Sequence, residues 1–212
     1  MKVNTENFFR ISQNDVEISE ERKDTLNLIS KAILDEYLEN NCVNINFICS
    51  HNSRRSQFAQ VWGNYAINYF SIPNMECFSG GTMATAFHRN TIKSLKEVGF
   101  HFDLKTFNHQ NPEYIVSYKD CKKPFVVFSK LIDDAINNYP YIAITTCDTV
   151  EKKCPLFTDC IKYFQLPYED PKNYDNTALK QEKYATLNMR VASEMAFLFK
   201  HISEKIKNYE LI

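Results

Sequence analysis

Apolar residues recur at helical spacing through 19–40, where Leu26, Ile29, Ile33, Leu34 and Leu38 repeat behind Ser19, a ready helix cap. The next stretch, Val43–Ile48 (VNINFI), alternates and is rich in β-formers, so it reads as a strand. Helical spacing resumes at about 55–70, with Phe58, Trp62, Tyr65, Ala66 and Tyr69 on one face. A strand at 75–79, a helix at 88–98, a buried strand at Tyr141–Thr146 and a short strand at 161–165 follow. A long helix over about 177–207 carries Leu187, Val191, Met195, Leu198, Phe199 and Ile202 as its apolar stripe. Between 112 and 129, Glu113–Tyr118 and Pro124–Phe128 flank a charged turn and read as a β-hairpin insertion. Strands alternating with helices predict an α/β fold, a doubly wound parallel four-stranded sheet flanked by helices. In such sheets ligands sit beyond the carboxyl ends of the strands, where both Cys49 and Cys147 fall.

The 212 residues suffice for one domain with a core, and no linker, repeat or low-complexity run divides them. Within that domain, residues 1–40 are expected to pack as a helical extension on a catalytic part spanning 41–212. A net charge of -1 gives no electrostatic case for a nucleic-acid or membrane partner. No run approaches the roughly eighteen apolar residues of a membrane span, and the N-terminus turns polar too soon for a secretory signal. A cytoplasmic protein with reduced thiols is expected, so its seven cysteines would be packing residues, metal ligands or redox catalysts. No tightly bound cofactor and no metal site is expected.

The chemistry concentrates at Cys49-Ser50-His51-Asn52-Ser53-Arg54-Arg55-Ser56. Cys49 ends a strand and Arg55 opens a helix. A tight loop entering a helix converges its backbone N–H groups on one point and adds the positive end of the helix dipole. Arg55 offers a bidentate guanidinium to an oxyanion, and the same donors stabilise a thiolate at Cys49. Ser56 is placed to donate a hydroxyl to the sulfur. Asn52 tolerates a left-handed backbone and can brace the loop, while His51 and Arg54 are expected at its rim or in solvent. Phosphate, sulfate or arsenate would suit the loop.

Six residues separate Cys147 from Cys154, which Pro155 follows. On a regular helix their Cα atoms would lie ~10 Å apart, beyond the ~7 Å a disulfide permits. A bridge between them therefore needs the segment to refold, as a redox relay does. Two unconnected structural cysteines and, more remotely, zinc are the other readings. Asp170 precedes Pro171, which holds it extended on a loop after the last strand, so that it can aim a proton donor into a cleft; Glu169 is the fallback.

These motifs, in this order along the chain, resemble those of thioredoxin-coupled arsenate reductases, which are built on the low-molecular-weight protein tyrosine phosphatase fold. Phe47-Ile48-Cys49 through Gln57 is similar to that family's phosphate-binding loop, and Phe78-Ser79-Gly80-Gly81 to the element after its second strand. Cys147 with Cys154 resembles the redox pair, and Asp170-Pro171 the acid loop. The resemblance implies that Cys49 attacks arsenate held by Arg55 while Asp170 protonates the departing oxygen. Cys147 would then attack Cys49 to release arsenite, and Cys154 would take over the disulfide for thioredoxin. Gln60 stands where some members carry a potassium-binding Glu, so that site is not carried over. Gly81 in place of an Ala reads as a minor change. The competing activity is phosphomonoester hydrolysis through a cysteinyl-phosphate, as in a protein tyrosine phosphatase, which needs neither Cys147 nor Cys154. A non-catalytic oxyanion sensor would not need the acid.

Overall fold

A computed structural model describes residues 4–147 and 160–209. Two helices come first, α1 (Thr5–Asp15) and α2 (Glu20–Asn40). Asn4 and Ser19 cap them, their side chains accepting from the N–H of Glu6 and of Arg22. Asn41 ends α2 in the left-handed region, at φ 53°. Strand β1 (Val43–Cys49) leads through the cysteine loop into α3 (Arg55–Tyr69), and β2 (Met75–Gly81) and α4 (Arg89–Glu97) follow. Then come β3 (His101–Thr106), β4 (Glu113–Ser117), β5 (Phe125–Val127), β6 (Tyr141–Thr145) and β7 (Cys160–Gln165). A short 3-10 turn at Pro171–Tyr174 precedes α5 (Lys180–Tyr209).

The main sheet is parallel throughout, in the order β2-β1-β6-β7. Its two central strands are buried on both faces, which removes the alternation an amphipathic strand would show. Helix α3 is buried on every side from Ser56 to Ile67, with Trp62 at its centre. Only Tyr69, placed on its apolar face by the spacing, emerges to the surface. The residues before β1 close this core. Phe8 and Phe9 stack on Trp62 with centroids 5.6 and 5.7 Å away, and Arg22 forks onto the buried Glu194 of α5 at 3.0 and 2.8 Å.

Two elements differ from the sequence expectation. Helix α1 is polar over most of its length, and only Thr5, Phe9 and Ser12 are buried, so its spacing carries little signal. The expected hairpin at 112–129 is present as β4 and β5, and β3 pairs with β4 to make it a three-stranded antiparallel sheet, β3-β4-β5. Strand β3 buries only Phe102, so it shows no alternation to read.

At the other edge, the Asn64 side chain imitates a neighbouring strand for β2. Its Nδ2 donates to the Cys77 carbonyl at 2.8 Å, and its Oδ1 accepts from the Cys77 N–H at 3.1 Å. No helix among the described residues is long and apolar enough to cross a membrane.

Candidate active site

The carboxyl end of β1 delivers Cys49 to the mouth of the sheet, 4% exposed. Its Sγ lies 3.1 Å from Ser56 Oγ. Asn52 Nδ2 donates to that same Oγ at 2.9 Å, so the serine hydrogen is directed at the sulfur. Asn52 sits at φ 45° and is fully buried. Its Oδ1 accepts from the Lys130 N–H at 2.9 Å and from Gln57 Nε2 at 3.0 Å. The loop is thus pinned from the segment after β5 as well as from α3. Ser129 Oγ and Thr85 Oγ1 reinforce it by donating to the His51 carbonyl.

The loop borders a cavity of about 350 Å³. Cys49, Ser50, His51, Ser53, Arg54 and Arg55 line one side, and Thr82, Met83, Asp170 and Lys172 the other. No Phe, Tyr or Trp side chain is among them, and His51 brings the imidazole. Arg55 lies at the cavity, but its guanidinium is turned to Asp170, with Nη2 2.8 Å from Oδ2, and Nη1 donates to the Tyr168 carbonyl at 3.2 Å. Asp170 also caps the 3-10 turn, its Oδ1 accepting from the Lys172 N–H. Asp170 and Arg55, to which the sequence gave separate roles, are thus ion-paired with each other.

Not every side chain of the loop faces the anion site. Asn52 and Ser56 point into the protein, and Ser53 Oγ donates to the Ala86 carbonyl at 2.7 Å. Arg54 lines the cavity, as expected of a rim residue, but it is not in solvent. Its side chain is 13% exposed, and it donates to Tyr184 OH at 2.6 Å and Asp175 Oδ2 at 2.7 Å. Tyr184 OH donates in turn to Asp175 Oδ1 and lies 3.1 Å from His88 Nδ1. Arg54, Tyr184 and His88 converge on Asp175 and so tie the loop to the segment before α5, and sequence spacing gave no sign of this, since Arg54 and Asp175 are 121 residues apart. Burial, followed by the Arg54 charge, lowers the His88 pKa below its ordinary value. The Asp175 carboxyl is held below its usual range by the Tyr184 hydroxyl and Arg54, against the opposing effect of burial.

Cys147 stands just past β6, 3% exposed, with its Sγ 3.8 Å from Ser50 Oγ. It packs with Cys49, Ile48, Tyr141 and Ala143 in one small cluster. Cys154 lies outside the described residues. An arsenate reductase of Bacillus subtilis is 26% identical over 160 residues, which are 76% of this chain and 94% of that protein. Arsenate reductase 2 of Staphylococcus epidermidis is 28% identical over 127 residues, 60% of this chain and 77% of its own. The chain's sequence relatives are arsenate reductases. No family model matches the chain. A low-molecular-weight protein tyrosine phosphatase from T. tengcongensis superposes with a TM-score of 0.51 at 16% identity, covering 75% of this chain and 99% of that one. The fold is that of the low-molecular-weight phosphatases, as the motifs implied.

The glycines at the end of β2 are less interchangeable than the sequence suggested. A Cβ on Gly81 would lie 2.7 Å from the Met83 carbonyl oxygen and 2.8 Å from the Asn52 nitrogen. One on Gly80 would lie 2.7 Å from Ile132 Cα. Backbone rather than flexible side chain blocks both, so Gly81 is a requirement of this loop and not a minor exchange for alanine.

Proposed function

We propose that the protein reduces arsenate to arsenite with Cys49 as nucleophile, Cys147 and Cys154 as thiol relay, and thioredoxin as the external reductant. The observation that carries this reading is the second buried thiol at the loop, Cys147, packed in the same cluster as Cys49. A hydrolase has no use for it. The sequence relatives named arsenate reductase point the same way.

In the proposed reaction the oxyanion enters the cavity and takes the Arg55 guanidinium from Asp170. The Cys49 thiolate attacks arsenic, an oxygen leaves as water with a proton from Asp170, and a Cys49–arsenic(V) bond forms. The Cys147 thiolate then attacks Cys49 Sγ. The electron pair of the sulfur–arsenic bond passes to arsenic, which departs as arsenite, and a Cys49–Cys147 disulfide remains. Cys154 attacks Cys147 and frees Cys49, and the dithiol of thioredoxin reduces the resulting Cys147–Cys154 disulfide. Ser56, fixed by Asn52, holds a hydrogen bond on Cys49 whenever that sulfur is a thiolate.

The phosphatase fold supports a second reading, phosphomonoester hydrolysis through a cysteinyl-phosphate. The cavity lining carries no Phe, Tyr or Trp side chain to stack on the phenyl group of an aryl phosphate, which supports a small oxyanion as the substrate. Both readings are tested by arsenate-dependent NADPH oxidation with thioredoxin and thioredoxin reductase, run beside hydrolysis of p-nitrophenyl phosphate. Cys147→Ser is expected to abolish the first and spare any activity in the second. Arsenate turnover left intact in Cys147→Ser would sink the reductase.

A further inference from the structure

Apart from the cysteine cavity, the protein has a groove of about 700 Å³ along the outer edge of β2, bounded across the gap by Lys123–Val126. It shares no lining residue with the cysteine cavity. Its walls alternate apolar side chains, among them Ile67, Ile72 and Phe125, with the amides of Asn64 and Asn68.

Lys130 also lines the groove, although its side chain is almost wholly buried, at 2% exposure. Its Nζ has no hydrogen-bond partner among the described residues. The ring of Phe128 lies under it at 5.0 Å, and Asp134 favours its charge through space without pairing with it. Burial pulls the ammonium down to about 8, so it is still largely charged at neutral pH. The other charges lining the groove, Glu76 and Lys123, form an ion pair with each other, so Glu76 does not pair with Lys130. An ammonium withdrawn from water and left without a hydrogen-bond partner is costly, and an anion brought to it would offset that cost.

We propose that this groove binds a small organic monocarboxylate, with the carboxylate received by Lys130 and the apolar body laid against Ile67, Ile72 and Phe125. A single positive charge calls for a single negative one, and the mixed wall suits an acid with a short hydrocarbon tail. Asn64 and Asn68 line the groove beside that tail, their amide nitrogens already bonded within the protein, so they report on its presence without anchoring it. The Lys130 N–H holds Asn52, so occupancy is also felt at the cysteine loop.

The test is a nuclear magnetic resonance titration of the full chain with hexanoate and, in parallel, with hexanamide as its uncharged counterpart. Hexanoate is expected to give saturable shifts at the lysine side-chain resonance of Lys130 and at the side-chain amides of Asn64 and Asn68. Hexanamide is expected to bind about tenfold more weakly or worse, since it lacks the charge-assisted hydrogen bond. In Lys130→Met the two ligands should bind equally. Equal affinities in the wild-type chain, or no saturable shift with hexanoate, would overturn the proposal, and that comparison needs no variant to fold.

Discussion

Asn52 does more for the site than any residue that touches substrate would suggest. It holds a left-handed backbone, gives its carbonyl oxygen to two donors and its amino group to Ser56, all in full burial. Asn52→Ala would leave the Lys130 N–H and Gln57 Nε2 short of an acceptor and place a less tolerant residue at φ 45°. We expect a loss of about 2–4 kcal/mol, read by urea unfolding. Gly81→Ala presses on the same residue from the other side, through the Asn52 nitrogen. It should cost about 1–3 kcal/mol and lower turnover together with stability. At this scale the sequence was most informative where chemistry and position are local: Cys49, Arg55 and Ser56 belong to one loop, and Asp170 is marked by Pro171. It was silent on Tyr184 and Asp175, because a side chain that holds Arg54 from more than a hundred residues away leaves no spacing to recognise.

Among the elements, α4 has a start that depends on protonation. His88 caps it, with Nδ1 accepting from the Asn90 N–H at 3.3 Å and lying 3.1 Å from Tyr184 OH. A proton on Nδ1 removes that acceptor. The folded pKa of His88 lies below its unfolded value of 6.5, so the unfolded chain binds the proton more readily. The resulting stability is complete above about pH 6.5 and is lost as pH falls through the lowered folded value. Unfolding midpoints measured across this range should fall on acidification in the wild-type chain and stay flatter in His88→Gln. The parallel strands and the long helices were legible, since each carries a run or a stripe dense enough to show its period. Strand β3 escaped because it turns one residue inward, and α1 because its burial rests on Phe9 and two small polar residues.

Across the whole molecule, the N-terminal helices belong to the same core as the site. Arg22 of α2 reaches Glu194 of α5, and Glu194 also accepts from Tyr168 OH at 2.7 Å, two residues before Asp170. Arg22→Met removes one partner from a carboxylate that is 1% exposed, leaving Arg190 and Tyr168 as its donors. A destabilisation of about 3 kcal/mol is expected in denaturant melts, with slower turnover as the Asp170 loop loosens. The composition and patterning pointed to such an extension without saying what it covers, because Phe9 and Trp62 are paired only by the fold. The Asn64 amide on Cys77 has a consequence for the protein in a crowded solution. A strand edge with bare peptide groups is a template on which another chain extends the sheet, and one side-chain amide here occupies the middle of that template. Asn64→Leu should therefore leave the monomer folded when dilute yet raise light scattering steeply with concentration, the mark of self-association nucleated at β2.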